Sequence, residues 1–374
     1  MIYLDYAASN IPYKECIELL CSMSLNHYGN PGAVHTSGNQ ARAILNRSRK
    51  TLAGLLGVRD REIFFTSGGT EANNWAVLLG CCQGHGREIL VGATEHKSVL
   101  ASARAMERRG FRVRILQPDR HGIFSPESVS AAVTSDTAMV CIQAVNNETG
   151  VIQDVAALSR VARQHRVPFL CDAVQSFGHV AQDLSGADLI SLSAHKFGGP
   201  RGVGCLVIRQ SLQVQPLLHG GGQELGLRSG TENLPAIAAM ARAAELSAQQ
   251  LASESLRLVR LKTLFLSKLK EISADIEDNA PVDQTHPGIL NCYFPGISAE
   301  ELTVRLDAKG ICVSPGAACS ARDSEPSHVL RAMGYSPERA GQSLRFSFGR
   351  STTQDEILQT ASAIADILHP RKER

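Results

Sequence analysis

The chain has 374 residues, 43% of them apolar and 20% charged, a balance that excludes wholesale disorder and lets the chain bury a core without disulfide support. Lys plus Arg number 38 against 36 Asp plus Glu, a net charge of +2, so no global field draws the chain to nucleic acid or an anionic membrane. No apolar run reaches the ~18–20 residues of a membrane span, Met1–Asp5 lacks the regions of a signal peptide, and the ten cysteines contain no C-x-x-C pair, so a cytoplasmic protein without a disulfide framework or metal site is expected.

In chain order, short apolar runs alternate with helical spacing, the rhythm of an α/β fold. The basic group Arg42, Arg47, Arg49 and Lys50 comes first and reads as a solvated face, as does Arg108, Arg109, Arg112 and Arg114. Seven strands are predicted at Glu62–Thr66, Glu88–Val91, Arg112–Leu116, Ala138–Gln143, Pro168–Asp172, Leu189–Ser193 and Gly204–Ile208. They suit one large, mainly parallel sheet. Helical spacing over Thr70–Gly80, Ser98–Gly110 and Val155–His165 supplies crossovers. From Leu234 to Ile272 apolar residues recur every three or four positions, which predicts one long helix, or two abutting, bridging two domains. Gly288–Phe294, Leu302–Asp307 and Leu344–Ser347 supply strands and helices of a smaller α+β domain. The expected division is a large α/β domain over 13–253 and a small domain from 1–12 and 254–374.

Three segments point to chemistry. Thr66-Ser67-Gly68-Gly69-Thr70-Glu71 follows a strand and opens a helix; such backbone N–H groups suit a phosphate, although the same pattern also serves ordinary helix initiation. Asp172 closes an apolar strand, and ligands of open α/β sheets bind beyond that end. In Ser193-Ala194-His195-Lys196 a lysine directly follows another buried strand, where packing gives an amine no purpose. Asp172 and Lys196 are separated by 24 residues, one strand–helix–strand step, which brings them to adjacent strand ends. A lysine for a Schiff base, a carboxylate for a pyridinium proton and helix-terminal donors are the set that pyridoxal 5'-phosphate requires.

Along nearly the whole chain, Leu4-Asp5-Tyr6-Ala7-Ala8, Tyr28-Gly29-Asn30-Pro31, Thr66–Glu71, Ala93-Thr94-Glu95-His96, Val145–Gly150, Asp172-Ala173-Val174-Gln175, Ser193–Lys196, Arg228–Glu232 and Leu344–Ser347 resemble the class V aminotransferase-like pyridoxal enzymes, and within them the NifS/IscS-type cysteine desulfurases. The resemblance implies the fold-type-I architecture, a homodimer and pyridoxal phosphate as cofactor. It also implies that Lys196 forms the Schiff base, Asp172 pairs with the ring nitrogen and Gln175 bonds the ring hydroxyl. His96 would stack on the ring and shuttle protons, and Gly69, Thr70, Ser193 and His195 would hold the phosphate. Thr231 would reach that phosphate from the second subunit, while Asn147, beside the cofactor, and Arg345 would face the substrate carboxylate. Outside this context His96 reads as a core histidine, Asn147 as a turn residue and Arg345 as an ion-pair partner.

The segment Ile311–Ser327 is small and polar around Cys319, which predicts an exposed loop, whereas an inert structural thiol is buried. Pro315 stands where the family commonly has Ser. The resemblance implies that Cys319 takes sulfur from L-cysteine as a persulfide, leaving L-alanine. A sulfur-acceptor protein would then receive it for iron–sulfur cluster assembly or nucleic-acid thiolation, without direct nucleic-acid binding. The alternative is a selenocysteine lyase or another β-elimination lyase, which needs no Cys319. A non-catalytic cofactor-binding partner is the reading of another class, and Lys196, Asp172, His96 and Cys319 together argue against it.

Overall fold

A computed structural model describes residues 1–84, 86–316 and 326–370. Its elements run β1 (Ile2–Tyr3), α1 (Lys14–Asn26), α2 (Thr36–Leu56), β2 (Ile63–Thr66), α3 (Gly69–Cys81), β3 (Glu88–Gly92), α4 (Lys97–Ala105), β4 (Arg112–Leu116), α5 (Pro126–Ala132), β5 (Thr137–Cys141), α6 (Val155–Gln164), β6 (Phe169–Asp172), β7 (Leu189–Ser193) and β8 (Gly204–Ile208). There follow α7 (Leu234–Ile272), β9 (Glu277–Asp278), β10 (Ile289–Tyr293), α8 (Ala299–Asp307), β11 (Ile311–Cys312), α9 (His328–Ala332), α10 (Pro337–Gly341), β12 (Ser343–Ser347) and α11 (Gln354–Leu368).

All seven strands predicted for the large sheet form one sheet, in the order β2-β8-β7-β6-β5-β3-β4. Strands β4, β3, β5, β6 and β7 are parallel, and β8 runs antiparallel to both β7 and β2. Strand β2 therefore points the same way as β7, and the ends of β2, β3, β5, β6 and β7 open on one edge. Helices cover both faces, so β2 and β5 to β8 are buried throughout, as parallel strands are when crossovers flank them. One apolar cluster, holding Leu45, Leu52, Phe169 and Phe197, packs one face; another, holding Trp75, Leu79 and Met139, packs the other.

Helix α7 is a single 39-residue helix, about 58 Å long at 1.5 Å per residue. Asn233 caps it by accepting from Ala236 N, and proline follows in its first turn, where a missing N–H costs nothing. Leu234, Ile237, Met240 and Leu246 belong to the first core, while Leu258, Leu261, Phe265 and Leu269 belong to a separate one. That second core also contains Leu4, Leu290, Phe346 and Ile357. There β12, β10 and β9 form an antiparallel sheet and β1 pairs with β11 in parallel.

The structure differs from expectation in several places. Strand β5 ends at Cys141, leaving Gln143 beyond it, and α4 ends at Ala105, continuing as a 3-10 turn over Met106–Arg109. Helices α1, α2 and α11 were not anticipated. In α1 only Cys16 is buried, so no apolar stripe marks it. Arg49, read as part of a solvated face, is half-buried: it donates to both Glu224 carboxylate oxygens and lies 4.8 Å over the Phe65 ring.

Candidate active site

The common edge encloses a cavity of about 210 Å3 lined by residues from every strand end that opens there. Gly69 and Thr70 come from the start of α3 after β2, and His96 from the end of the β3 connection. Asn147 follows β5, Asp172 ends β6 with Gln175 just beyond, and Ser193 ends β7 with His195 and Lys196 just beyond. Arg345 enters from β12, next to the N-terminal Ala7 and Ala8. Ten of the residues anticipated from the sequence thus meet in one place. Thr231 is exposed and does not line this cavity. Cys319 lies outside the described residues.

Asp172 faces Ser191 across the parallel β6–β7 register, which sets it beside the turn that carries Lys196. Its Oδ1 accepts from Val174 N at 2.9 Å and its Oδ2 from Asn73 Nδ2 at 2.7 Å. Lys196 Nζ donates to the carbonyls of Ala7 and Ala8, so residues from the chain's start meet a lysine from its middle. The backbone of Lys196 is itself braced: Asn10 Nδ2 and His179 Nε2 lie 3.1 and 2.8 Å from its carbonyl oxygen.

A Cβ at position 69 would come within 2.8 Å of Val174 Cγ2, so any side chain there would force Val174 to shift. The side chain is missing where the helix N-terminus closes on the strand edge. Glu71, in the first turn of α3, accepts from Ser67 N and pairs bidentately with Arg228 at 2.8 and 3.1 Å. That pair ties the 228–231 segment to the base of this helix.

Burial pushes the His96 imidazole below its ordinary pKa, reinforced by the Lys196 ammonium against the opposing Asp172 carboxylate. Burial, with Lys196 and Arg201 nearby, lowers His195 to about 4. Both rings are neutral near pH 7. Arg345, only 1% exposed, donates through Nη2 to Asp5 Oδ1 at 2.6 Å and through Nη1 to Asn147 O at 2.8 Å. Its buried Nε has no hydrogen-bond partner among the described residues, and neither has Gln175 Oε1.

Sequence reasoning missed Ala7, Ala8, Asn73, Ser98, Gln143, Val145 and Val174 as lining residues. Ala7, Ala8, Val145 and Val174 stand inside motifs already singled out. Asn73 and Ser98 carried no signal, being ordinary polar residues in helices.

The sequence matches the family described as Aminotransferase class-V over residues 2–359. The chain belongs to that family, in its NifS/IscS-type cysteine desulfurase branch. It is 36% identical over 371 residues to "Cysteine desulfurase IscS" of Dictyoglomus turgidum, covering 98% of this chain and 94% of that protein. A solved structure titled "NIFS-LIKE PROTEIN" superposes with a TM-score of 0.92 at 33% identity, over 98% of this chain and 99% of the other. Another, "SspA in complex with cysteine", gives 0.80 at 33% identity over 93% and 99% of the two chains. The seven-stranded sheet and these likenesses bear out the expected fold-type-I architecture.

Proposed function

We propose that the protein is a pyridoxal-phosphate-dependent cysteine desulfurase that converts L-cysteine to L-alanine, leaving the sulfur as a persulfide on Cys319 for an acceptor protein. The observation that carries this reading is the single cavity in which Lys196, Asp172, His96, the α3 N-terminus and Arg345 converge.

The residues fit the cofactor. The cradle at Gly69 is closed on by Val174 Cγ2, which a Cβ would meet at 2.8 Å, Gln175 Oε1 is buried with no hydrogen-bond partner among the described residues, and Gly68, at the helix N-cap, brings no side-chain hydrogen bond to compete with an anion for the first amides. Lys196 Nζ would hold the group covalently and Asp172 would pair with its ring nitrogen. The first amides of α3, Thr70, Ser193 and His195 would take the phosphate. When bound, the cofactor supplies an electron sink for charge developing on the substrate's α-carbon.

The chain's own residues do the rest. Arg345 is held by Asp5 and Asn147 O with Nε still to donate, so its fork can orient the substrate carboxylate with little loss of entropy. His96, half-buried and with its pKa lowered by burial, would pack against the reacting face and pass protons there. The Cys319 thiolate attacks the substrate sulfur. The carbon–sulfur bond breaks, its electron pair is protonated at carbon to give alanine, and the sulfur stays on Cys319.

The reading extends to a homodimer in which Thr231 serves the partner's site. That extension is supported by the exposure of Thr231 and of Tyr28, Val34 and Leu225. The separate cores met by the two halves of α7 support a large unit over 13–253 and a small one from 1–12 and 254–374. No described helix is long and apolar enough to cross a membrane, and we place the enzyme in the cytoplasm. The test is Cys319→Ser, which should bind cysteine but form almost no alanine. Wild type should gain the mass of one sulfur atom on the Cys319 peptide, removable by dithiothreitol. Alanine released by Cys319→Ser at the wild-type rate would replace this reading with the lyase alternative.

A further inference from the structure

Along one wall of the cavity, four side chains from three separate segments form one hydrogen-bonded chain. Asn73 lies on α3 and is 1% exposed; Ser98 lies in the first turn of α4 and is 8% exposed. Asn73 Nδ2 donates to Asp172 Oδ2 at 2.7 Å and to Ser98 Oγ at 2.9 Å. Ser98 Oγ in turn stands 2.7 Å from His96 Nδ1, and Ser98 N donates to the same ring nitrogen at 3.1 Å.

The donor inventory gives this chain a direction. A carboxylate only accepts, so the amide nitrogen of Asn73 must face Asp172, and both of its hydrogens are then used. Ser98 Oγ accepts one of them, which leaves its own hydrogen for His96. His96 Nδ1 takes that hydrogen and the backbone N–H, so it carries a lone pair, and the neutral ring keeps its proton on Nε2. Reversing any member would set two donors or two acceptors against each other in a buried place.

We propose that Asn73 and Ser98 are positioning residues that bind His96 and Asp172 into one unit and lock His96 in the Nε2–H tautomer. The inference rests on the desulfurase reading, in which Asp172 and His96 address the same cofactor ring from different directions. Through this relay the two are fixed relative to each other rather than separately. The resting His96 presents its Nε2 edge as a donor, and a proton can enter at Nδ1 only by displacing both bonds from Ser98. The charged or titratable groups around His96 are Asp172, Lys196, His328 and Glu148.

The test uses holoenzyme labelled with 15N-histidine, with His96 assigned by His96→Gln. Two- and three-bond proton–nitrogen correlations should place Nδ1 in the range of a bare, hydrogen-bond-accepting nitrogen and Nε2 in the range of an N–H. Ser98→Ala should move the Nδ1 signal toward that of a less hydrogen-bonded nitrogen, and Ser98→Thr, which keeps the hydroxyl, should restore it. Asn73→Leu should move Nδ1 the same way when Ser98 is present and have no effect in a Ser98→Ala background, because the two act in series. A protonated Nδ1 in wild type would overturn the proposal, as would an Asn73→Leu effect of equal size with and without the Ser98 hydroxyl. Alanine formation by wild type, measured in parallel, tests the desulfurase reading separately, since the histidine signals need no turnover.

Discussion

Substituting Asp5 by Asn isolates one charge from the pair that joins the two ends of the chain at the cavity. Arg345 is 1% exposed and the Asp5 side chain 18% exposed, with 2.6 Å between Nη2 and Oδ1. Breaking a buried ion pair by removing one partner costs about 3–5 kcal/mol, because the remaining charge is left uncompensated in a low dielectric. Two features reduce that figure. Asn Oδ1 can still accept from Nη2, and the partial exposure of residue 5 lets water answer some of the charge, so about 2 kcal/mol remains. At ~2 °C per kcal/mol for a large chain, the apparent Tm of Asp5→Asn should fall by about 4 °C, read by scanning calorimetry or fluorescence. The double variant Asp5→Leu/Arg345→Met removes both charges and should regain most of the loss, since a buried pair replaced by apolar groups is often close to neutral. In Asp5→Asn the guanidinium keeps its charge and its bond to Asn147 O, so KM for cysteine should rise little, whereas Arg345→Lys should raise it steeply. A double variant no more stable than Asp5→Asn would refute the reasoning, because the loss would then come from packing rather than from an unpaired charge.

Three further predictions follow from other parts of the molecule. Lys262 is fully buried, with Nζ bonded to Val282 O, Thr285 Oγ1 and His286 O, and burial lowers its pKa from 10.5 to about 8. Between those values the unfolded chain binds the extra proton, so wild type should gain stability relative to Lys262→Met as pH rises from about 8 to 10.5, and Tm measured against pH in both proteins checks the sign. Gly69→Ala should lower the cofactor content measured by visible absorbance, and adding Val174→Ala should recover it, because Val174 Cγ2 at 2.8 Å is the atom the new Cβ would meet. Mixing Thr231→Ala chains with Lys196→Ala chains should restore part of the activity if Thr231 acts across a dimer; no gain after verified subunit exchange would count against sharing.

Five of the seven strands of the large sheet, β2 and β5 to β8, are covered on both faces and read as nearly continuous apolar runs, a signal that survives in a short window; β3 and β4 were legible from their Ile, Leu and Val positions. Asp172 and Lys196 were legible for a related reason. Asp172 closes such a strand and Lys196 comes just after another, and their separation of 24 positions leaves room for one connection and no more. Helices α1 and α2 were not, since α1 buries only Cys16, and the buried stripe of α2, Ala41, Leu45, Leu52 and Leu56, is interrupted by Gly38 and Ser48.

What the tertiary structure alone decided are the meetings between distant segments. Asp5 and Arg345 are 340 positions apart, and nothing local in either marks the other as its partner. Asn73 and Ser98 are polar residues of two helices that touch only because α3 and α4 pack side by side. The hydrogen-bond direction that sets the His96 tautomer exists only once Asp172 supplies an acceptor-only end. Local pattern records which face of an element is buried, because burial follows from periodicity along the chain. Which polar groups share a buried space depends on how whole elements cross, and that is a property of the packed molecule.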